Sequence, residues 1–511
     1  MRRIGLVVLV VLVLVGGGYW GASAYSNARL RAALDQSLQR LPSGYVVTYK
    51  TATYSLLSGK AEIGGIETHL ALGSGPFDGT VALVELVRPN LALADRWNEA
   101  VANPASWPLD KVLPVADSIV IEGIHVTNAL QTIDVDSQRL DGIRLYPGAL
   151  LHPGLPSLSD VVDASHAGAQ PSPETLLKLA RFEAALILGI GCDRQAATNM
   201  RATGRIPASD TVPELPFSYE LPQASVTGLD RGIWQDMSGE RLSFSGPSNS
   251  SVKVGRFGFS GFDVRQLATR LLDATEFSRG LLDGLSIKRI DYADFSVQTP
   301  EGGVVPMEGF SLSDIVIAQG EPVSATFVLK GLGLDRSRIT EPSVAAVWDQ
   351  IGVDHLTVGA GFALNRDVAS GHASIHDTFV KIDELGSLDL TAEVSDEPLG
   401  GSPLAAKLTK AALHYRDASL ADRVLKLMAQ GGDPEQARNQ LIQLAQQQAA
   451  ELGPSFGPAG EALAAFFKQP KQLTVELAPA QPIPFATLAG LESLPPPEAA
   501  ALLGLTIRAN E

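Results

Sequence analysis

Cysteine is almost absent from this chain of 511 residues, in which Cys192 is the only one. A single thiol cannot form an internal disulfide or a cysteine-rich metal site, and we interpret Cys192 as a small buried apolar residue. Positive charge is also scarce, since the formal net charge is −16 at pH 7. This deficit argues against nucleic acid as a partner, because nucleic-acid binding rewards clustered Lys and Arg.

The common motifs of metal binding and phosphate binding are missing as well. The chain has no HExxH pair, no EF-hand loop and no P-loop. The glycines of LKGLGLD lack the spacing of a dinucleotide-binding loop. His372 and His376 in GHASIHDTF are close in sequence, and we interpret them as exposed strand residues rather than metal ligands. The sequence therefore predicts no catalytic residue, no metal, no cofactor and no enzyme activity.

A long apolar run is present only at the N-terminus. Residues 4–24 carry no charge, and as a helix they would span about 31 Å, one hydrocarbon thickness. Arg2 and Arg3 precede the run, and Tyr19 and Trp20 stand where interfacial aromatic residues are found. We interpret residues 1–24 as a transmembrane anchor with the N-terminus inside and the C-terminus outside. The alternative is a signal peptide whose A-x-A cleavage site ends at Ala24.

The rest of the chain repeats one strand-like phrase: apolar, any, Gly, apolar, any, apolar. Two apolar residues three apart would face opposite sides of a regular strand. A glycine bulge restores them to one side and bends the strand, whereas a tight turn would also use a glycine. The phrase therefore predicts long curved strands with one apolar side. Its bulge or turn glycines are Gly65, Gly123, Gly142, Gly261, Gly309 and Gly331.

The order of the patterns predicts a β-dominated α+β fold. In it, the N-terminal transmembrane helix is followed by curved antiparallel sheets with interspersed helices and a late helical insertion. Ser172-Pro173 and Asp433-Pro434 are typical helix starts. We divide the chain into an anchor (or signal peptide, 1–24), a first strand-rich region (25–150), a linker and helix (151–190), a second strand-rich region (191–415) and a helical insertion with terminal strands (416–511).

The first strands resemble the start of AsmA-like envelope proteins. The similarity lies in the Arg-led anchor, in recurring phrases such as IVIEGIHV and MEGFSL, and in the positions Tyr54, Ser55, Leu56, Ser58, Gly59, Gly65 and Ile66. This resemblance implies a β-rich periplasmic protein of a Gram-negative bacterium, anchored in the inner membrane. It also implies a role in outer-membrane assembly or lipid passage, with the inner membrane and phospholipid as partners.

An apolar strand face offers a mechanism, since acyl chains could lie along it at about 0.8 kcal/mol per buried CH₂. The residues that we expect to face lipid are Ile121, Ile124, Phe259, Phe262, Phe310, Leu312, Leu332 and Leu334. The alternative for each of them is a place in a closed core. Two other functions stay open: a periplasmic scaffold that docks a protein partner through helices in 417–467, and an exported hydrolase that uses distant carboxylates.

Overall fold

Strands dominate the fold. The computed structural model describes the chain except for residues 1–30, 32–33, 36–37, 40–44, 56–57, 73–74, 91, 157–171, 207–213, 301–302, 340, 397–402 and 430–431. Strands account for 52% of the described residues and helices for 29%, which confirms the β-dominated class. The chain divides into a first unit, residues 1–290 and 297–302, and a second unit, residues 291–296 and 303–511. The expected linker at 151–190 lies inside the first unit.

The first unit is built on an antiparallel meander in which each strand from β3 to β10 pairs with the next. The short strands β1 and β2 both pair with β3. The strands are Tyr45–Thr48 (β1), Thr51–Ser55 (β2), Lys60–Leu72 (β3), Gly75–Pro89 (β4), Leu113–Thr127 (β5), Gln131–Leu145 (β6), Ile190–Ile206 (β7), Leu215–Asp230 (β8), Ile233–Ser245 (β9) and Ser251–Asp263 (β10). A further strand, Ser286–Gln298 (β11), contributes residues to both units.

Residues with left-handed backbone form a first line across this meander, one on every second strand. Gly65 lies opposite Ala82, between the pairs Gly64–Leu83 and Ile66–Val81. Gly123 lies opposite the same alanine from the other side. Cross-strand pairing extends this line of facing positions from β5 to β9. Its left-handed residues are Gly65 (φ 63°), Gly123 (φ 62°), Asn199 (φ 49°) and Arg241 (φ 56°).

A second line crosses the alternate strands. Arg88 and Gly142 both lie opposite Asp117, Gly142 and Gly228 both lie opposite Asp193, and Gly228 and Gly261 both lie opposite Gln235. The left-handed residues of this line are Arg88 (φ 44°), Gly142 (φ 61°), Gly228 (φ 59°) and Gly261 (φ 57°). From β3 to β10, each strand therefore carries one such residue inside its span.

At Gly65 and Gly123 the apolar residues shift by one position along the strand, but no bulge of the expected kind causes this shift. The register between neighbouring strands is the same on both sides of Gly65 and Gly123, so no residue is inserted. Paired strands shift their alternation at facing positions, so their apolar residues stay opposite one another. Gly331 differs, because the register between its strand and the next shifts between Leu329 and Leu332. Gly309 is not left-handed; a side chain there would meet the backbone oxygen of Tyr292.

The slip keeps one side of the first unit apolar, and this side is buried. Ile63, Val84 and Ile121 form a cross-strand row on one flank of the first line, and Ile66, Val81 and Ile124 form a row on the other flank. All six side chains are between 1% and 8% exposed. Leu34, Leu93 and Trp107 belong to the same core cluster, so segments outside the strands cover this side.

The helices of the first unit are Leu93–Ala102 (α1), Pro147–Leu150 (α2), Pro173–Gly189 (α3) and Arg265–Asp273 (α4). Helix α3 begins as predicted, because the Ser172 hydroxyl accepts a hydrogen bond from the Thr175 backbone N–H at 3.2 Å and Pro173 opens the first turn. Helices α2, α3 and α4 share a small cluster of buried side chains, Ala149, Ala184, Ala185, Leu188, Ala268 and Leu272.

The second unit continues the antiparallel pattern, since each strand from β12 to β18 pairs with the next, and β18 pairs with β20. The two-residue strand β19 pairs with β17. The strands are Val304–Ala318 (β12), Glu321–Asp335 (β13), His355–Asp367 (β14), His372–Ile382 (β15), Gly386–Ser395 (β16), Lys407–Asp417 (β17), Gln472–Leu477 (β18), Ile483–Pro484 (β19) and Leu505–Ala509 (β20).

The late helices form an insertion, as predicted, because they lie between the paired strands β17 and β18. Asp433 starts the second of them by accepting a hydrogen bond from the Glu435 backbone N–H at 3.0 Å, and Gly453 ends it at φ 106°. The helices of this unit are Pro342–Ile351 (α5), Leu420–Met428 (α6), Pro434–Leu452 (α7), Gly457–Lys468 (α8), Phe485–Leu488 (α9) and Pro496–Leu503 (α10).

The predicted anchor, residues 1–24 with Arg2, Arg3, Tyr19 and Trp20, lies outside the described residues. Within the part of the chain that the structure describes, no helix has both the length and the apolar character needed to cross a membrane.

The first line of left-handed residues can be tested with Gly123→Ala. An alanine there would adopt a left-handed backbone, which costs about 1–2 kcal/mol. Its Cβ would also lie 2.7 Å from the Ala82 Cβ, and such overpacking costs about 1–3 kcal/mol. Urea unfolding of the purified chain should show a loss of stability of at least about 2 kcal/mol.

Gly65→Ala is the matched control, because Gly65 has the same backbone but would meet only the flexible Lys50 side chain. It should destabilise the protein less than Gly123→Ala. Adding Ala82→Gly to Gly123→Ala should recover the difference. Equal losses in both single variants, with no recovery, would contradict the close packing of the strands along this line.

Candidate functional site

The strands of the second unit carry an apolar side that runs in rows from strand to strand. One row joins Phe310, Leu329, Ala360, Val380, Leu388, Tyr415 and Leu473 through successive cross-strand pairs. A second row contains Leu312, Phe327 and Phe362, is interrupted on β15 at a register shift where Thr378 stands, and continues with Leu390, Leu413, Val475 and Ile507. A third contains Leu364, Ile375, Ala392, Ala411, Leu477 and Leu505.

The middle of this apolar side is exposed, unlike the core of the first unit. Five large apolar side chains on β14, β15 and β16 are 37–45% exposed, and all five belong to the three rows. We call them the open apolar face: Phe362, Ile375, Val380, Leu388 and Leu390. Val380 and Leu388 form a direct cross-strand pair, and Leu390 is two residues from Leu388 on the same strand, opposite Thr378. Because exposed apolar patches are uncommon on protein surfaces, this face is the candidate binding surface of the second unit.

Helices and a small core limit the open apolar face within the second unit. On one flank, α8 contacts β18 and β20, and its Phe466 lies edge-on to Tyr415 at 6.0 Å. At one end of the strands, Trp348 of α5 forms a core cluster with Leu356 and Leu385. The indole N–H of Trp348 donates a hydrogen bond to the Val353 carbonyl at 2.6 Å, which fixes the ring in this position.

The opposite side of the same strands is polar. On β16 and β17, Asp389 accepts a hydrogen bond from the Arg416 guanidinium at 2.7 Å, and Asp389 pairs with His414 in register. On β18 and β20, Arg508 forms an ion pair with Glu476. Because successive side chains on a strand alternate between sides, the ionic residues and the open apolar face occupy different sides of one sheet.

The eight residues expected to face lipid fall into three environments. Ile121 and Ile124 are 2% and 8% exposed and belong to the core of the first unit. Phe259 and Phe262 are half-buried on β10, where Phe262 contacts Trp234 with ring centroids 5.0 Å apart. Phe310, Leu312, Leu332 and Leu334 are half-buried in the second unit.

Three of those last four residues contact rows or clusters that flank the open apolar face. Phe310 stacks on Tyr292 with centroids 4.7 Å apart, and it leads the first row. Leu312 pairs with Phe327, whose ring lies 5.8 Å from Phe362. Leu334 packs against the Trp348 cluster. These residues adjoin the face but do not form its exposed centre.

Sequence reasoning from the glycine phrase missed all five residues of the open apolar face. None of them belongs to a copy of the phrase. A plain alternation marks part of the face, since Leu388, Leu390, Ala392 and Val394 follow one another at every second position of SLDLTAEV. That signal indicates a strand with one apolar side, but it does not distinguish an exposed side from a buried one.

Comparison with known proteins finds a match to a protein family without a described function. A family described as "Uncharacterized protein" matches residues 379–510. No curated protein and no solved structure matches the chain. The matched range contains Val380, Leu388 and Leu390 and the late helical insertion.

A cleft of about 380 Å³ lies on the first unit, lined by apolar side chains such as Val112 and Ile143 and by the ionic residues Arg88, Asp117, Arg144 and Asp193. Its two arginines are already paired, Arg88 with Asp117 at 2.8 Å and Arg144 with Asp193 at 2.6 Å. Both arginines are thus engaged within the wall of the cleft.

Cys192 and Ser455 are two potential nucleophiles in the described residues, and neither lies in an activating environment. Burial raises the pKa of the Cys192 thiol to about 11, so the thiol is protonated at neutral pH. The stretch GPSFG, residues 453–457, has the spacing of a nucleophile elbow, but its serine lies in a turn between α7 and α8. A nucleophile elbow joins a strand to a helix. Among the described residues, no group of three or more metal-ligating side chains is found.

The exposure of the face can be tested by the same truncation at two leucines of the second unit. Leu390 is 37% exposed, whereas Leu408 on the adjacent strand β17 is 6% exposed. Leu408→Ala should lower the free energy of unfolding by about 2–5 kcal/mol because it leaves a cavity. Leu390→Ala should cost less than about 1 kcal/mol. Urea unfolding of both variants measures the difference, and equal costs would mean that the face is covered.

Proposed function

We propose that this chain is an inner-membrane-anchored periplasmic protein of the bacterial envelope that binds or guides lipid and catalyses no reaction. Support for lipid comes from one observation, the open apolar face, whose five large side chains are 37–45% exposed on one side of a sheet. The anchor and the location rest on the Arg-led apolar run at the N-terminus and on the resemblance to AsmA-like proteins.

Acyl chains suit this surface for a physical reason. The face presents aliphatic and aromatic side chains over three neighbouring strands, which together are about 10 Å wide. Each CH₂ group removed from water there contributes about 0.8 kcal/mol. A chain with no polar atoms leaves no hydrogen bond unsatisfied on such a surface, whereas a peptide would bury backbone groups at a cost.

Native mass spectrometry of the full chain, extracted from membranes in a mild detergent, tests this proposal. The wild-type protein should carry phospholipid. Leu390→Asp should lose most of it, because a carboxylate on the face would be desolvated beneath an acyl chain. The circular dichroism spectrum of the variant should be unchanged, since Leu390 is exposed.

Val316→Asp is the matched control. Val316 is 40% exposed but pairs with Ser324 and lies outside the open apolar face. This variant should retain its lipid. A wild-type protein that carries no lipid, or equal retention in Leu390→Asp and Val316→Asp, would refute lipid binding at this face.

A second function is favoured by a separate observation on the late helices. Val424, Leu427 and Met428 on α6 and Leu444 on α7 are 40–52% exposed. Exposed apolar side chains on neighbouring helices support the alternative of a scaffold that docks a periplasmic protein.

A photo-crosslinking amino acid at position 427 tests the scaffold in cells. It should form a protein adduct that disappears when Met428→Asp is added, because the charge would oppose an apolar contact. The same amino acid at position 368 is the control, since Val368 is 41% exposed on another part of the unit. Adducts at both positions alike would indicate random collisions.

A further inference from the structure

The apolar side of the second unit ends in an ion pair. Arg366 follows Leu364 at the next position on the same side of β14, and it pairs in register with Ala373. Its guanidinium lies 2.9 Å from the carboxylate of Glu321, at the start of β13. This contact places the Glu321 carboxylate beside Arg366, at the same end of the strands. This ion pair therefore lies at the Arg366 end of the apolar side.

The arginine of this pair is more buried than its partner. The Arg366 side chain is 12% exposed, whereas the Glu321 side chain is 32% exposed. The long arginine stem packs along the apolar surface and carries its charge to the border of the face. The two ends of the apolar side therefore differ, because the other end closes in the Trp348 cluster.

We propose that Arg366 binds the phosphate of a phospholipid whose acyl chains lie on the open apolar face, with their ends toward Trp348. This inference rests on the proposed lipid binding. A guanidinium matches a phosphate with two parallel hydrogen bonds, and it keeps its charge when partly buried. Glu321 orients the guanidinium in the absence of lipid and competes with the phosphate for it.

The dimensions agree with this orientation. Ala360, in the first row of the apolar side, precedes Arg366 by six residues, which corresponds to about 20 Å along a strand. The hydrocarbon of one membrane leaflet is about 15 Å deep. A phospholipid with its phosphate at Arg366 would therefore place its acyl chains alongside Phe362, Val380 and Leu388.

In the test, the full chain is purified in detergent and mixed with equal amounts of phosphatidylglycerol and diacylglycerol. The two lipids share acyl chains, but only phosphatidylglycerol carries a phosphate. Bound lipid is then extracted and quantified. The wild-type protein should prefer phosphatidylglycerol, and Arg366→Gln should lower the ratio about tenfold, the effect of one charge-assisted hydrogen bond. Total bound lipid should change little, because the acyl contacts remain. Glu321→Gln should raise the ratio.

Two further variants guard against a structural effect. The double variant Glu321→Leu/Arg366→Leu replaces the ion pair by apolar residues, which is often neutral for stability. It should fold and bind diacylglycerol without a preference for phosphate. Arg416→Gln is the matched control on the polar side, where Arg416 pairs with Asp389 at 2.7 Å, and it should leave the ratio unchanged.

The outcomes separate the two proposals. A wild-type protein that binds neither lipid refutes lipid binding itself. Binding of both lipids with a ratio that is equal in the wild type, Arg366→Gln and the double variant overturns only the role of Arg366. Calorimetric binding of inorganic phosphate alone, lost in Arg366→Gln and with no preference among lipids, would assign the site to free phosphate and would also overturn it.

Discussion

The two-residue period of a β-strand is the constraint on which this structure depends. If the alternation of side chains shifts by one residue in one strand, its apolar residues no longer face those of the neighbouring strand. They do so only if the neighbour shifts at the facing position. In the first unit, β3 and β4 both change phase where Gly65 lies opposite Ala82, and β5 follows at Gly123. The slip is therefore a property of the sheet. It keeps Ile63 and Ile66 in one core although they are three residues apart.

Whether helices and loops cover an apolar side of the sheet decides its role more than its sequence pattern does. Ile121 and Leu390 are both apolar residues within strands that have one apolar side. The first is 2% exposed because helix α1 and Trp107 belong to the cluster around it, and the second is 37% exposed. Burying such a side chain stabilises a fold by about 1.5–3 kcal/mol. Leaving five of them together on an open face forgoes that gain, which is consistent with a surface kept for a ligand.

The sequence was sufficient for the features that depend on near neighbours. The caps at Ser172 and Asp433 act within three residues, and the insertion between β17 and β18 follows from a change of period. Asn199, Arg241 and Arg88 could not be recognised, because they adopt left-handed backbone without being glycine. Their conformation follows from the pairing of distant strands. The exposure of Phe362 or Val380 likewise depends on which helices cover the sheet, and no local pattern encodes it.

The ion pair between Arg366 and Glu321 makes the two ends of the apolar side different. An ion pair at the border of an apolar surface has a desolvation cost, and apolar residues of similar size could replace it without loss of stability. Arg366 and Glu321 are therefore not required for the packing of β13 against β14, which Phe327 and Phe362 already supply at 5.8 Å. One end of the apolar side is closed around Trp348 and the other is charged, and this difference is the basis for the proposed orientation of a phospholipid on the face.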